Sequence, residues 1–171
     1  DGNRHSDVQI RCLNFARLGY TVLCTTQHHY EDLLVGVSHQ TTMIWNNMRG
    51  LDLLQQLEGV EGEQIGCEGC SGGGLQTQML AALDSRVKAA SIAGITCDFR
   101  ELLFPHRAHC VCNHWPNAMR FTDQPEIAAL AFPTPIQFLT MDDWTKPFER
   151  DNLPGIQRLY QENGFPNRVG H

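Results

Sequence analysis

The residues with the clearest capacity for chemistry are Gly69-Cys70-Ser71-Gly72-Gly73, a G-x-S-x-G turn. Gln64-Ile65-Gly66-Cys67 before it reads as a strand, and Leu75 to Leu83 after it as a helix. A strand, a tight glycine turn carrying serine and then a helix make a nucleophile elbow: the sharp turn thrusts the hydroxyl outward, and small neighbours let strand and helix crowd against it. The alternative is a glycine-rich turn that serves packing or binds an anion. A second set of reactive side chains is rich in sulfur and nitrogen. Cys67-Glu68-Gly69-Cys70 is a C-x-x-C, and His109-Cys110-Val111-Cys112-Asn113-His114 gathers four soft ligands in six residues. Zinc takes such donors in tetrahedral sets, so a zinc-binding module built on cluster 109–114 is the rival from a different class. Against it, Cys67 falls in a strand whose side chains alternate faces, Cys70 abuts the serine, and no second C-x-x-C completes a set.

These groups need a frame. From Ser6, which can cap, a helix carries Val8, Cys12, Phe15, Ala16 and Leu18 and ends at Gly19. Tyr20-Thr21-Val22-Leu23-Cys24 then reads as a buried strand and 27–37 as a loop. A long amphipathic helix from Ser38 aligns Met43, Ile44, Met48, Leu51, Leu54 and Leu57. After the elbow helix, Val87 to Ala93 is a strand, Pro125 to Leu130 a short helix, Pro135 to Leu139 a strand and Asn152 to Gln161 a last helix. Arg168-Val169 opens one more strand. Residues 94–123, with three cysteines and three histidines, lack clean periodicity and read as an insertion over one end of a sheet. Strands alternating with helices predict a parallel α/β sheet with helices on both faces, whose ligands bind beyond the carboxyl ends of the strands.

The bulk numbers agree with one domain. The chain has 171 residues, 42% hydrophobic and 19% charged, enough for a single core. Its formal net charge is −6, and its Lys and Arg are scattered, which argues against nucleic acid as a partner. No apolar run approaches the ~20 residues a membrane helix needs. The seven cysteines cannot all pair within one chain and read as buried thiols, which leaves the compartment open.

Taken together, Ile65–Leu83, the stretch from Cys110-Val111-Cys112-Asn113 to Pro125-Glu126-Ile127-Ala128-Ala129-Leu130, and Asp143-Trp144-Thr145 resemble α/β-hydrolases of the acetylxylan-esterase-like, prolyl-oligopeptidase-like bacterial esterase group. The resemblance implies a partial α/β-hydrolase fold over 1–171, a single catalytic domain with outer strands missing. It also implies that the 94–123 insertion lies over the active-site end. A sheet without its outer strands has open edges, so self-association is a further expectation.

The resemblance implies a serine hydrolase that cleaves carboxylic esters, of carbohydrates in particular, through an acyl-enzyme and without a cofactor. A serine peptidase of the prolyl-oligopeptidase type and a catalytically incomplete fragment are its alternatives. Ser71 is the candidate nucleophile, needing a histidine to take its proton and a carboxylate to orient that histidine. In this fold the order is serine, acid, histidine, which points to Asp143, with Asp142 as the neighbour it could be confused with. The competing account of both aspartates is a plain turn. His171 is the one histidine after Asp143, although the resemblance places the family's base further along; His106, His109 and His114 precede the acid. The Gly72 N–H is the first oxyanion donor, and the second belongs before the first helix. Trp115 and Trp144 could stack on a sugar ring or simply pack.

Overall fold

The computed structural model describes residues 2–26, 36–104, 110–113 and 115–171. It divides into two compact units, one reaching to Gly62 and the other running from Glu63 to His171.

The first unit is helical. Helix α1 spans Ser6–Arg17, and α2 spans His39–Gln56. Ser6 is the first helical residue rather than the cap; His5 takes the cap position, and its ring accepts from the Asp7 N–H. The α1 stripe buries none of its residues. Tyr20 to Cys24 forms no strand. Apolar composition makes a segment able to pair, but a strand exists only where a partner's N–H and C=O groups meet it, and Tyr20, Val22 and Leu23 stay exposed. In α2 the predicted stripe holds at Met43, Ile44 and Leu51, which are buried, while Leu57 lies past the helix end and is exposed. Of the predicted 27–37 loop, 27–35 lies outside the described residues.

The second unit is a parallel four-stranded sheet with helices, in the order β1-β2-β3-β4: Ile65–Cys70, Val87–Ala93, Ile136–Leu139 and Val169–Gly170. All three pairings are parallel, so each connection must cross over, and each does so through helix. Helix α3 (Gly72–Leu83) joins β1 to β2. Helices α4 (Phe99–Leu103) and α5 (Gln124–Ala129) lie between β2 and β3, and α6 (Phe148–Asp151) and α7 (Leu153–Glu162) between β3 and β4. Helices α3, α5 and α7 touch in turn to form a layer in this unit. Its core holds Leu75, Ile92, Phe138, Phe148 and Tyr160, each almost wholly buried. Phe138 and Phe148 meet with ring centroids 4.8 Å apart. Alternation explains the strand patterns: Ile136 and Phe138 are buried while Gln137 and Leu139 are exposed.

Register aligns the carboxyl ends of three strands. Cys70 pairs with Ala93, and Ala93 with Leu139, so the turns after β1, β2 and β3 emerge together. The predicted irregular stretch 94–123 contains α4 and two short 3-10 turns, Val111–Asn113 and Ala118–Arg120. Side chains tie its two ends to each other and to the segment between α6 and α7. The Asp123 carboxylate accepts from the Phe99 N–H at 2.6 Å and the Gln124 N–H at 2.7 Å, joining the starts of α4 and α5. Asn152 donates to Asp98 at 2.9 Å.

Candidate active site

Ser71 occupies the single residue between the end of β1 and the start of α3, with φ 55° and ψ −118°. A side chain other than glycine rarely takes positive φ, and such strain persists only where the surroundings over-determine it. Two hydrogen bonds and two close backbone approaches hold it. The Ser71 N–H donates to the Ala93 carbonyl of the neighbouring strand at 2.9 Å, and the Ser71 carbonyl accepts from Leu75 at 2.9 Å. Gly69 lies so close under the turn that a β-carbon there would sit 2.3 Å from the Gly73 carbonyl group. Gly74 faces Ala93 in the same way, its imagined β-carbon 2.5 Å from that carbonyl oxygen. Gly72 and Gly73 have open space instead. The two glycines that sterics demand are therefore Gly69 and Gly74, and only the first belongs to the five-residue motif.

The outcome is an exposed serine at the carboxyl edge of the sheet, at the N-cap position before the first turn of α3, with no capping bond from its side chain. The N–H of Gly72 belongs to that turn, where backbone donors have no acceptor within the helix and the helix dipole favours negative charge.

Asp143 lies four residues past the end of β3. Since β2 alone separates β1 from β3, the two turns stand about 10 Å apart across the sheet. Thr145 anchors the acid: its N–H and its hydroxyl both donate to Asp143 Oδ1, at 2.8 and 2.7 Å, while its hydroxyl accepts from the Met141 N–H at 2.9 Å. Thr145 is fully buried while Asp143 is half-buried, and both bonds fall on one carboxylate oxygen. The aspartate two residues ahead of a hydroxyl is the signature of a side-chain-closed turn, and it was the one sequence signal for Thr145. Asp142 is exposed.

His171 follows β4, its ring nitrogen Nε2 3.0 Å from the Thr140 hydroxyl and 3.5 Å from the Glu149 carboxylate. Glu149 is bonded to Thr140 in turn, and with Lys146 this holds its carboxyl below the usual range. Among the described residues of this unit, no histidine touches Ser71 or Asp143. His106, His109 and His114 lie outside the described residues.

Trp115 is half-buried, donates from its ring nitrogen to the Cys112 carbonyl at 2.8 Å and meets Phe99 edge-on at 5.4 Å. Trp144 is half-buried next to the acid. A cavity of about 610 Å³ opens at the opposite, amino end of the sheet, lined by Val87, Lys88, Leu130, Phe132, Pro135 and Arg168 among others. Parallel α/β sheets do their chemistry at the carboxyl ends, which favours the Ser71 edge over this larger hollow.

No disulfide joins any of the seven cysteines; Cys97 and Cys112 are buried and Cys110 is exposed, which departs from a uniformly buried set. Cys67 and Cys70, three apart on a strand, face opposite sides of the sheet. Burial, reinforced by Glu68, pushes the Cys67 thiol up to about 12, and its S–H lies 3.8 Å from the Thr77 carbonyl. Cys97 is likewise pushed up to about 12, first by burial and then by the charges of Asp98, Asp123, Glu101 and Asp143. Among the described residues no three His, Cys, Asp or Glu side chains converge as a metal site would require.

No protein-family model and no curated protein sequence matches the chain. Solved structures do. The chain is similar to the methylesterase BT1017 at 26% identity and a TM-score of 0.66, over 78% of this chain and 30% of that one. It is similar to a protein assigned as an acetyl xylan esterase from Bacteroides fragilis at 19% identity and a TM-score of 0.67, over 81% and 37%. A CE15 glucuronoyl esterase from Caldicellulosiruptor kristjansonii matches at 16% identity and a TM-score of 0.56, over 78% and 44%. The chain thus spans between about a third and less than half of the length of these structures. The strand order, the serine turn and these neighbours agree, and the chain carries the α/β-hydrolase fold of this esterase group.

Proposed function

We propose that Ser71 is the nucleophile of a serine esterase that cleaves carboxylic esters on carbohydrates through an acyl-enzyme. The observation that carries this reading is the strained backbone of Ser71, φ 55° and ψ −118°, at an exposed position between β1 and α3. Strain of this kind is kept where it aims a functional group, and here it lifts the hydroxyl clear of the sheet.

In this mechanism the Ser71 hydroxyl oxygen attacks the ester carbonyl as a histidine takes its proton, and a tetrahedral intermediate forms. The Gly72 N–H, at the positive end of α3, stabilises the oxyanion. The alcohol leaves with the proton from the histidine, and water then releases the acid from Ser71. Asp143, with Oδ1 held by Thr145, presents its other oxygen, Oδ2, to the histidine that relays the proton. The neighbours' names span a methylesterase, an acetyl xylan esterase and a glucuronoyl esterase, so ester cleavage is the chemistry common to them, and the last two names support a carbohydrate ester. A small-molecule or carbohydrate ester is the partner proposed, with no metal or organic cofactor in the steps.

Turnover of p-nitrophenyl acetate, acetylated xylan and a methyl-esterified uronic acid tests the proposal, with wild type beside Ser71→Ala. Hydrolysis of at least one ester that is lost in Ser71→Ala supports it. Hydrolysis that survives in the variant, or cleavage of a peptide substrate with no ester turnover, overturns it.

A further inference from the structure

The 94–123 stretch holds two thiols that the proposed ester chemistry leaves unused. Cys110 and Cys112 sit in one tight turn, closed by the Asn113 N–H donating to the Cys110 carbonyl at 2.9 Å. Their sulfurs are 2.9 Å apart, with the Cys112 S–H directed at Cys110 Sγ. Both cysteines are free, Cys110 exposed and Cys112 buried. Cys110 directly precedes the 3-10 turn Val111–Asn113 that carries Cys112, so the two sulfurs meet across one intervening residue. One sulfur is open to an oxidant, and its partner is already in place behind it.

We propose that Cys110 and Cys112 form a reversible thiol–disulfide site, closed by a small disulfide oxidant such as oxidised glutathione. The Cys110 thiolate attacks one sulfur of the oxidant, forming a mixed disulfide and releasing one glutathione thiolate, which takes a proton. Cys112 then loses its proton to solvent and attacks Cys110 Sγ, expelling the second glutathione. Two protein thiols are oxidised, and one glutathione disulfide is reduced to two thiols. Burial and the bond to Cys110 push the Cys112 thiol up to about 12, so ring closure is the slow step and quickens as pH rises. The site stands whether or not the chain cleaves esters, because nothing in it involves Ser71.

Trypsin makes the test direct. Cleavage after Arg107 and Arg120 yields peptide 108–120, which contains Cys110 and Cys112 and none of the other five cysteines. The folded chain is treated with oxidised glutathione, remaining thiols are alkylated, and the peptide is weighed. The expected result is a peptide lighter than its reduced form by about 2 Da, with no alkyl groups, restored by dithiothreitol. In Cys112→Ser the same treatment should leave glutathione on Cys110. A wild-type peptide that keeps both thiols, or that stops at a stable glutathione adduct, overturns the proposal. So does closure that occurs equally fast in urea-unfolded chain, because the folded turn then contributes nothing.

Discussion

Gly69→Ala is the sharpest structural perturbation of the serine turn. The new β-carbon would lie 2.3 Å from both the carbonyl carbon and the carbonyl oxygen of Gly73 and 2.9 Å from its α-carbon. Ordinary contact begins near 3.4 Å, so strand and helix must part by about 1 Å, and since the obstacle is backbone no side chain can swing away. Overpacking of a close-packed interior costs about 1–3 kcal/mol, and a backbone-on-backbone collision belongs at the upper end. At about 2–4 °C per kcal/mol for a chain of this length, 3 kcal/mol lowers the melting temperature by roughly 6–12 °C. Gly73→Ala is the matched control. It adds the same methyl group into open space within α3. Alanine in a helix is favoured over glycine by about 0.5–1 kcal/mol, so this variant should melt at or slightly above wild type. Thermal unfolding followed by far-ultraviolet circular dichroism reads both. Gly69→Ala melting with wild type, or Gly73→Ala falling as far, would refute the reasoning.

Two further variants probe the groups around the turn. Thr145→Val removes the hydroxyl that donates to Asp143 and accepts from Met141 in a part-buried site, for a loss of about 1 kcal/mol in urea unfolding; Thr145→Ser should retain most of it, and a valine variant as stable as wild type contradicts the clamp. Asp123→Asn tests a pH effect. Burial, outweighing the Phe99 and Gln124 N–H bonds, raises the Asp123 carboxyl above the ordinary range. Its charged form is thus disfavoured in the folded chain, and the stability it contributes below the unfolded carboxylate range is lost as pH rises through the folded value. Asparagine keeps the acceptor oxygen without the charge, so the variant should gain on wild type between acidic and neutral pH; urea midpoints that stay parallel across that range would contradict this.

Much of the second unit is legible in the sequence because its signals are local. Ile65 to Cys70, the glycine turn and the Leu75 to Leu83 run form a strand, elbow and helix within 20 residues of one another, and each boundary carries a glycine or a cap. The short helix read from Pro125 is α5, and the structure adds the capping box of Asp123 and Glu126 that starts it. What stays hidden depends on partners distant in the chain. Tyr20 to Cys24 has the composition of a strand, yet pairing is decided by whether another strand meets it. The need for glycine at 74 comes from the Ala93 carbonyl, 19 residues away, and no pattern within the turn reveals it. The same holds at the candidate site. Serine and aspartate are readable from the order strand, turn, helix and strand, turn; that the ring of His171 rests on Thr140 and Glu149 emerges only when β4 pairs with β3.

The central claim is an activated serine at position 71, and labelling tests it most directly. Wild type and Ser71→Ala are treated with a fluorophosphonate, which bonds covalently to activated serines, and the adduct is mapped by peptide mass. The account predicts one adduct, on Ser71, absent from a Ser71→Ala variant that melts with wild type. An adduct on another serine, or none on a folded chain, would contradict it.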